Sequence, residues 1–292
     1  MANMRKAAYW EQYDNGIARC GLCPHRCSIE QGDAGVCGVR TNDNGMLVST
    51  GYGQVSSIEL DPIEKKPLYM FHPGKHILSI GGFGCNLRCR FCQNFEISVI
   101  TATQLEAGDR GRRMTPEEVA AYATATIGQG NIGVAYTYNE PLIGYEFVYD
   151  CAILVRSAGL RNVLVTNGYI NSEPLLSILP LIDAMNIDLK GFSDDFYKSV
   201  GGKLEPVKEA IELSSKFCHV EVTTLVVPNE NEKDIESIAK WLASVDPGIP
   251  LHLTRFFPRY LYSDKEPTPP GSVYKLRDVA GRYLDNVFTG NI

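Results

Sequence analysis

Three features are missing from this 292-residue sequence, and each absence excludes a class of function. No apolar run approaches the roughly 20 residues needed to cross a bilayer, and no charged-then-apolar leader precedes the first structured segment. Basic residues are not in excess: 28 Lys and Arg stand against 34 Asp and Glu, a net charge of −6. A nucleic-acid partner needs a basic face to displace counterions, so neither a nucleic acid nor a membrane is expected as a partner. Low-complexity tracts are also missing, as is any repeat longer than a βα unit. With 44% apolar and 21% charged residues, the composition is that of an ordinary globular protein, expected to be cytoplasmic. The length allows one large α/β domain with a small appendage.

Cysteine, in contrast, is plentiful and clustered. Seven of the nine fall into two groups. In a reducing compartment such groups read as metal or metal–sulfur ligands. Cys151 and Cys218 stand apart and read as small buried hydrophobes. The second group, in "GGFGCNLRCRFCQNFEIS" (81–98), is Cys85, Cys89 and Cys92, spaced CxxxCxxC. It has no fourth cysteine. Three thiolates can hold three irons of a cubic 4Fe–4S cluster and leave one iron open to another ligand. The first group, Cys20, Cys23, Cys27 and Cys37 in "CGLCPHRCSIEQGDAGVCGVR", is spaced CxxCxxxCx9C. Four thiolates suit tetrahedral zinc or a second, fully ligated cluster. The spacing favours zinc, because ferredoxin-type runs have a tighter last interval and a following proline.

From residue 76 onward, short apolar runs alternate with helical patterns. The runs at 76–83, 132–138, 161–167, 183–190, 219–227 and 250–257 read as strands. Between them lie helices such as "TPEEVAAYATATIGQG", with Thr115 as N-cap, Pro116 in the first turn and Glu118 closing a capping box. Six βα units predict a partial (β/α)6 TIM-like barrel, open at one side, covering 76–292. A flat doubly wound sheet is the other option. Either way the chemistry collects at the carboxyl ends of the strands. Residues 1–75 read as a small Cys-rich metal-binding module with a hairpin at Asp43-Asn44-Gly45. Its linker, "LDPIEKKPLYMFHPG" (60–74), is expected to lie as a strap over the barrel mouth.

CxxxCxxC with Phe91 before the last cysteine resembles the signature of radical S-adenosylmethionine (SAM) enzymes. In that family the open iron chelates the amino and carboxylate groups of SAM. Reductive cleavage of SAM then gives a 5′-deoxyadenosyl radical that abstracts hydrogen from a substrate. The resemblance extends along the strand ends. "YNEP" (138–141) is similar to the family's GGEP-type turn and implies Asn139 and Glu140 as cofactor contacts. "TNG" (166–168) and "DLK" (188–190) resemble elements of pyruvate formate-lyase activating enzymes. They imply Thr166 and Asn167 as cofactor contacts, Asp188 for the ribose and Lys190 for the cofactor carboxylate. Arg255, in "HLTRFFP", is a further candidate contact. "CGLCPHRC", "DPIEKKPLYMFHPG", "GCNLRCRFC" and "YTYNEP" together resemble the radical enzyme of the AmmeMemoRadiSam system. These likenesses imply a 4Fe–4S cluster and SAM as cofactors and a reduced flavodoxin or ferredoxin as electron donor. The substrate is expected to be a glycine on a partner protein, or alternatively a small molecule or peptide. A third option is a non-catalytic iron–sulfur or zinc-binding partner protein.

Overall fold

A computed structural model describes residues 5–106 and 111–292. Among them, one sheet holds eight strands: β1 (Ser57–Pro62), β2 (His76–Gly81), β3 (Asn131–Thr137), β4 (Arg161–Thr166), β5 (Ala184–Asp188), β6 (His219–Val226), β7 (Leu251–Arg255) and β8 (Val287–Gly290). Strands β2 to β8 are parallel and lie side by side in chain order. A doubly wound sheet reverses its order at a switch point, and this sheet has no reversal. Right-handed crossovers therefore put every helix on one face, and the sheet curls into a partial barrel. Strand β1 pairs antiparallel with β2 and β8 pairs with β7, so the two edges do not meet.

The crossover helices are α1 (Pro116–Ala125), α2 (Tyr145–Ser157), α3 (Ser172–Ile178), α4 (Leu204–Ser214), α5 (Ile235–Val245) and α6 (Pro270–Ala280). The start of α1 has the expected capping box: the Glu118 N–H donates to the Thr115 hydroxyl (3.2 Å), and the Thr115 N–H donates to the Glu118 carboxylate (2.7 Å). Alternation along each strand sorts the two faces. Leu78, Ile80, Val134, Leu164, Met185 and Ile187 pack outward in the main core with the helices. The inward Ile77, Ala135, Val163 and Ala184 form a separate layer.

The structure differs from the expectation at both ends of the sheet. Residues 57–62 join it as β1, so the linker starts as a sheet edge. The linker then runs inside the barrel instead of across its mouth. Ile63 and Leu68, both fully buried, fill the barrel interior against the inward layer. Glu221 on β6 anchors the linker by accepting the N–H groups of Tyr69 (3.0 Å) and Met70 (2.8 Å). Apolar side chains and a buried acceptor thus pull in a segment whose prolines and lysines suggested a surface course. The short strand β8 was not expected either.

The amino-terminal residues form two small antiparallel sheets, 5–6 with 46–49 and 40–43, and 10–12 with 18–20 and 28–29. The predicted hairpin is present, with Asn44 (φ 51°) and Gly45 (φ 84°) in the left-handed region. The start of "GDRGRRM" (108–114) lies outside the described residues, while Arg112 and Arg113 pair with Val55 and Gln54. Cys151 is fully buried in α2 and Cys218 is half-buried.

Candidate active site

A cavity of about 660 Å³ opens at the carboxyl ends of the parallel strands. The loop after β2 brings Cys85, Cys89, Phe91 and Cys92 to it. The end of β3 supplies Asn139 and Glu140, that of β4 Thr166 and Asn167, and that of β5 Asp188 and Lys190. Residues spread over more than a hundred positions in sequence therefore share one wall.

Glu140 is buried and already holds three hydrogen bonds. It accepts from the Leu142 N–H (2.9 Å), the Thr166 hydroxyl (2.7 Å) and the Asn167 N–H (2.7 Å). It therefore caps the turn before α2 and ties the end of β3 to that of β4. A carboxylate offers about four acceptor positions, so one remains for a cation in the cavity. Burial raises its pKa to about 7, against the three hydrogen bonds that favour the ionised form. Asn139 holds the cysteine loop in place: its Oδ1 accepts from the Gly82 N–H (2.9 Å) and its Nδ2 donates to the Gly84 carbonyl (3.0 Å). Asn167 donates to the Cys85 sulfur (3.5 Å) and to the Asn86 side chain (3.0 Å).

Lys190 and Asp188 form an ion pair at 2.8 Å. Burial works against the charged lysine, but Asp188 and Cys89 outweigh it and raise its pKa. Asn231, fully buried in the "VVPNEN" loop, donates to the Lys190 carbonyl (2.7 Å) and the Leu225 carbonyl (2.8 Å), fixing the end of β5 against that of β6.

Arg255 does not reach the cavity. On β7 it is His252 and Thr254 that line it, and alternation turns the next side chain outward. Arg255 instead donates to the Thr268 carbonyl (2.7 Å) and stacks over Phe257. Two groups that sequence reasoning missed do line the wall. Lys66 is buried and pairs with Asp61 at 2.8 Å, and the Tyr138 hydroxyl donates to the same carboxylate (2.7 Å). His252 donates to Glu221 (2.6 Å), as His219 does (2.9 Å). Burial acts to raise the Glu221 pKa, but these histidines and the two linker N–H groups bring it down to about 2. The alternation in "HVEVTTLVV" was the available signal: it puts Glu221 on the inner face.

Cys20, Cys23, Cys27 and Cys37 lie away from this cavity and line a second, small one. Among the described residues, no three Cys, His, Asp or Glu side chains converge as a single-ion site would require. The expected zinc site is therefore not supported. A cubic cluster spreads its thiolates around a larger body than one ion, so the same observation leaves cluster binding at either group intact.

The cavity at the strand ends suits the cluster that the cysteine spacing allows and the SAM that the family resemblance implies. Burial pushes the Cys89 thiol up to about 11 and the Cys85 thiol higher still. Bound iron supplies the positive charge that keeps such sulfurs as thiolates. Glu140 offers an anion and Lys190 a cation in the same space, complementary to the ammonium and carboxylate of an amino-acid cofactor.

Comparison with known proteins identifies the fold's lineage. The Radical SAM superfamily profile matches residues 79–242. The chain belongs to the radical SAM superfamily. It is an enzyme of that type, and its family works with a 4Fe–4S cluster and SAM. This radical SAM protein is 42% identical over 294 residues to an uncharacterized protein of Methanocaldococcus jannaschii, covering 99% of this chain and 86% of the relative. It is 28% identical over 173 residues to the pyruvate formate-lyase-activating enzyme of Clostridium pasteurianum, 56% of this chain and 69% of that one. Among solved structures, Streptococcus suis SuiB bound to S-adenosylmethionine superposes with a TM-score of 0.56 at 11% identity, over 70% of this chain and 48% of SuiB. QueE from Escherichia coli gives 0.50 at 14% identity, over 82% and 95%. These two likenesses concern the fold.

Proposed function

We propose that this radical SAM enzyme acts on a partner protein, removing a hydrogen atom from a backbone glycine in the manner of an activating enzyme. In this reading Cys85, Cys89 and Cys92 hold the cluster, with Phe91 packed behind them. Glu140 receives the cofactor's ammonium and Lys190 its carboxylate. Asp188, Thr166 and Asn167 face the ribose side. When bound, cluster and cofactor supply one-electron cleavage chemistry that ends in hydrogen abstraction. The protein's own part is to orient them: Asn139 and Asn167 fix the cysteine loop, and Asn231 fixes the strand end that carries Lys190. A reduced flavodoxin or ferredoxin is the donor such chemistry requires.

The observation that carries the protein-substrate reading is the rim. Phe257 and Leu261 are large, apolar and exposed, and both are tied to the cysteine loop: the Gln93 side chain donates to the Phe257 carbonyl (3.1 Å) and the Leu261 N–H donates to the Arg90 carbonyl (3.0 Å). Apolar side chains exposed together beside a site suit the docking of another protein. The similarity to an activating enzyme supports the same reading. A second reading is modification of a small molecule or peptide in an AmmeMemoRadiSam-type system. It is favoured by Lys65, which lines the cavity and, while paired with Asp61 (3.1 Å), keeps an exposed ammonium that suits an acidic substrate.

Anaerobic incubation of the reconstituted enzyme with candidate partners carrying deuterated glycine separates the two. Deuterium in the 5′-deoxyadenosine formed is the expected result. Label arriving only from a deuterated small molecule or free peptide would overturn the protein-substrate reading in favour of the second.

A further inference from the structure

We propose that Cys20, Cys23, Cys27 and Cys37 hold a second, fully ligated iron–sulfur cluster, packed against the three-cysteine loop so that one electron passes between the two sites. All four sulfur-bearing residues line one small cavity. They belong to three different segments: the end of the strand 18–20, the turn after it, and the loop before the strand 40–43. The rest of the cavity wall is largely apolar, with Leu22, Ile29 and Ile143, and shields a bound group from water.

A second observation points to an anionic guest. Arg40 lines the same cavity and is only 1% exposed. Its Nη1 is paired with Glu146 at 3.0 Å, but its buried Nε–H has no partner among the described residues. A buried donor without a partner is costly. A cluster with four thiolate ligands carries net negative charge and sulfur acceptors, which is what this N–H lacks. Zinc requires its sulfurs at about 2.3 Å from one point. The described residues offer no such convergence, although the four residues share a cavity.

The contact with the three-cysteine loop is direct at four places. The His25 ring N–H, two residues after Cys23, donates to the Asn86 carbonyl (2.7 Å), next to Cys85. The Asn86 side chain faces the Cys23 thiol and accepts from Asn167, which also donates to the Cys85 sulfur. Arg88 donates to the Cys85 carbonyl (2.6 Å) and to the Val36 carbonyl beside Cys37. Gly84, at φ 83°, packs so closely that a Cβ there would run into the Cys37 carbonyl oxygen. Asn86 thus touches residues of both cysteine groups, and the backbone beside Cys85 packs directly on that beside Cys37.

In the electron step no bond forms or breaks. A reduced one-electron carrier protein is oxidised, the amino-terminal cluster takes up its electron, and that electron moves on to the iron held by Cys85, Cys89 and Cys92. The passage of the electron, though not the second cluster itself, rests on the reading of that loop given above.

The test uses the full chain, reconstituted anaerobically, with Cys85→Ala, Cys89→Ala and Cys92→Ala combined in one variant that leaves the amino-terminal cysteines intact. Iron, sulfide and zinc are measured in both proteins. The expected result is about eight irons per wild-type chain and about four in the variant. A variant with no iron, or with stoichiometric zinc, overturns the second cluster. A wild-type chain with only four irons, all kept in the variant, would instead sink the assignment of the three-cysteine loop. After reduction, the wild-type electron paramagnetic spectrum should show spin–spin broadening relative to the variant's isolated signal. A wild-type spectrum that is the plain sum of two separate signals overturns the electronic contact.

Discussion

At the residue scale the site turns on two charges, Glu140 and Lys190. If Lys190 receives the cofactor carboxylate, Lys190→Ala removes a charge-assisted contact of roughly 1.5–3 kcal/mol. Affinity for SAM, followed through the cluster's spectrum, should fall about ten- to a hundredfold while iron content holds. Asp188→Ala should cost less, because it leaves Lys190 in place and Asp188 is itself partly open to solvent. Unchanged affinity in Lys190→Ala would put the lysine's role down to its pairing with Asp188. Glu140 makes a pH prediction. Its pKa is raised from 4.5 to about 7 by burial, so the neutral form is the one the fold favours. The stability it confers is fully present below 4.5 and is lost as pH rises through 7. Ammonium binding needs the ionised form, so affinity should drop as pH falls below 7, by up to about tenfold per unit. Equilibrium binding at pH 6 and 8 checks this, and Glu140→Gln should bind weakly at both with no step.

At the element scale the decisive piece is the loop from 82 to 94. It is short of regular structure and is held by its neighbours. Asn139 binds its glycines, Asn167 reaches Cys85, and Cys37 packs on Gly84. Gly84→Ala combines a left-handed backbone with a collision against the Cys37 carbonyl. Thermal melting should show a loss of about 1–3 kcal/mol, and iron content at both cysteine groups should fall together. A variant that melts like the wild type would mean the two loops are not in close contact in solution. The linker 63–71 is the second such element. It reads as exposed from its prolines and lysines, yet Ile63, Leu68 and the Glu221 acceptor hold it inside the barrel.

At the scale of the whole molecule, the amino-terminal residues and the barrel share more than a linker. The Arg40–Glu146 ion pair and the Ala8 N–H to Glu146 (2.7 Å) tie the small sheets to α2. The Asn171 side chain donates to the Gly21 carbonyl (2.6 Å) beside Cys20. Because ligand binding in a small module is folding energy, stripping metal from the protein should destabilise this region first. Hydrogen exchange before and after chelation should show protection lost in residues 18–49, with the barrel strands largely unchanged. Uniform loss over the whole chain would mean that the module and the barrel unfold as one unit.

Much of this protein is legible in its sequence, because the relevant signals are local. CxxxCxxC lies within eight residues, the strands are continuous apolar runs, and the capping box of α1 spans four positions. These patterns were enough to predict the parallel strands, the order of the helices and the strand ends at which the cavity opens. Glu140, Asp188 and Lys190 were singled out by resemblance at the strand ends, and all three line the cavity there. What the sequence could not settle depends on pairing between distant segments. Arg255 was misplaced because its inward or outward sense follows from the register of β7, which no local pattern states. The course of the linker depends on Glu221, some 150 residues away, and the Lys66–Asp61–Tyr138 group on strands β1 and β3 lying either side of β2. Tertiary structure also decided that the two cysteine groups face one another, because only folding brings Cys23 and Cys37 to the backbone beside Cys85.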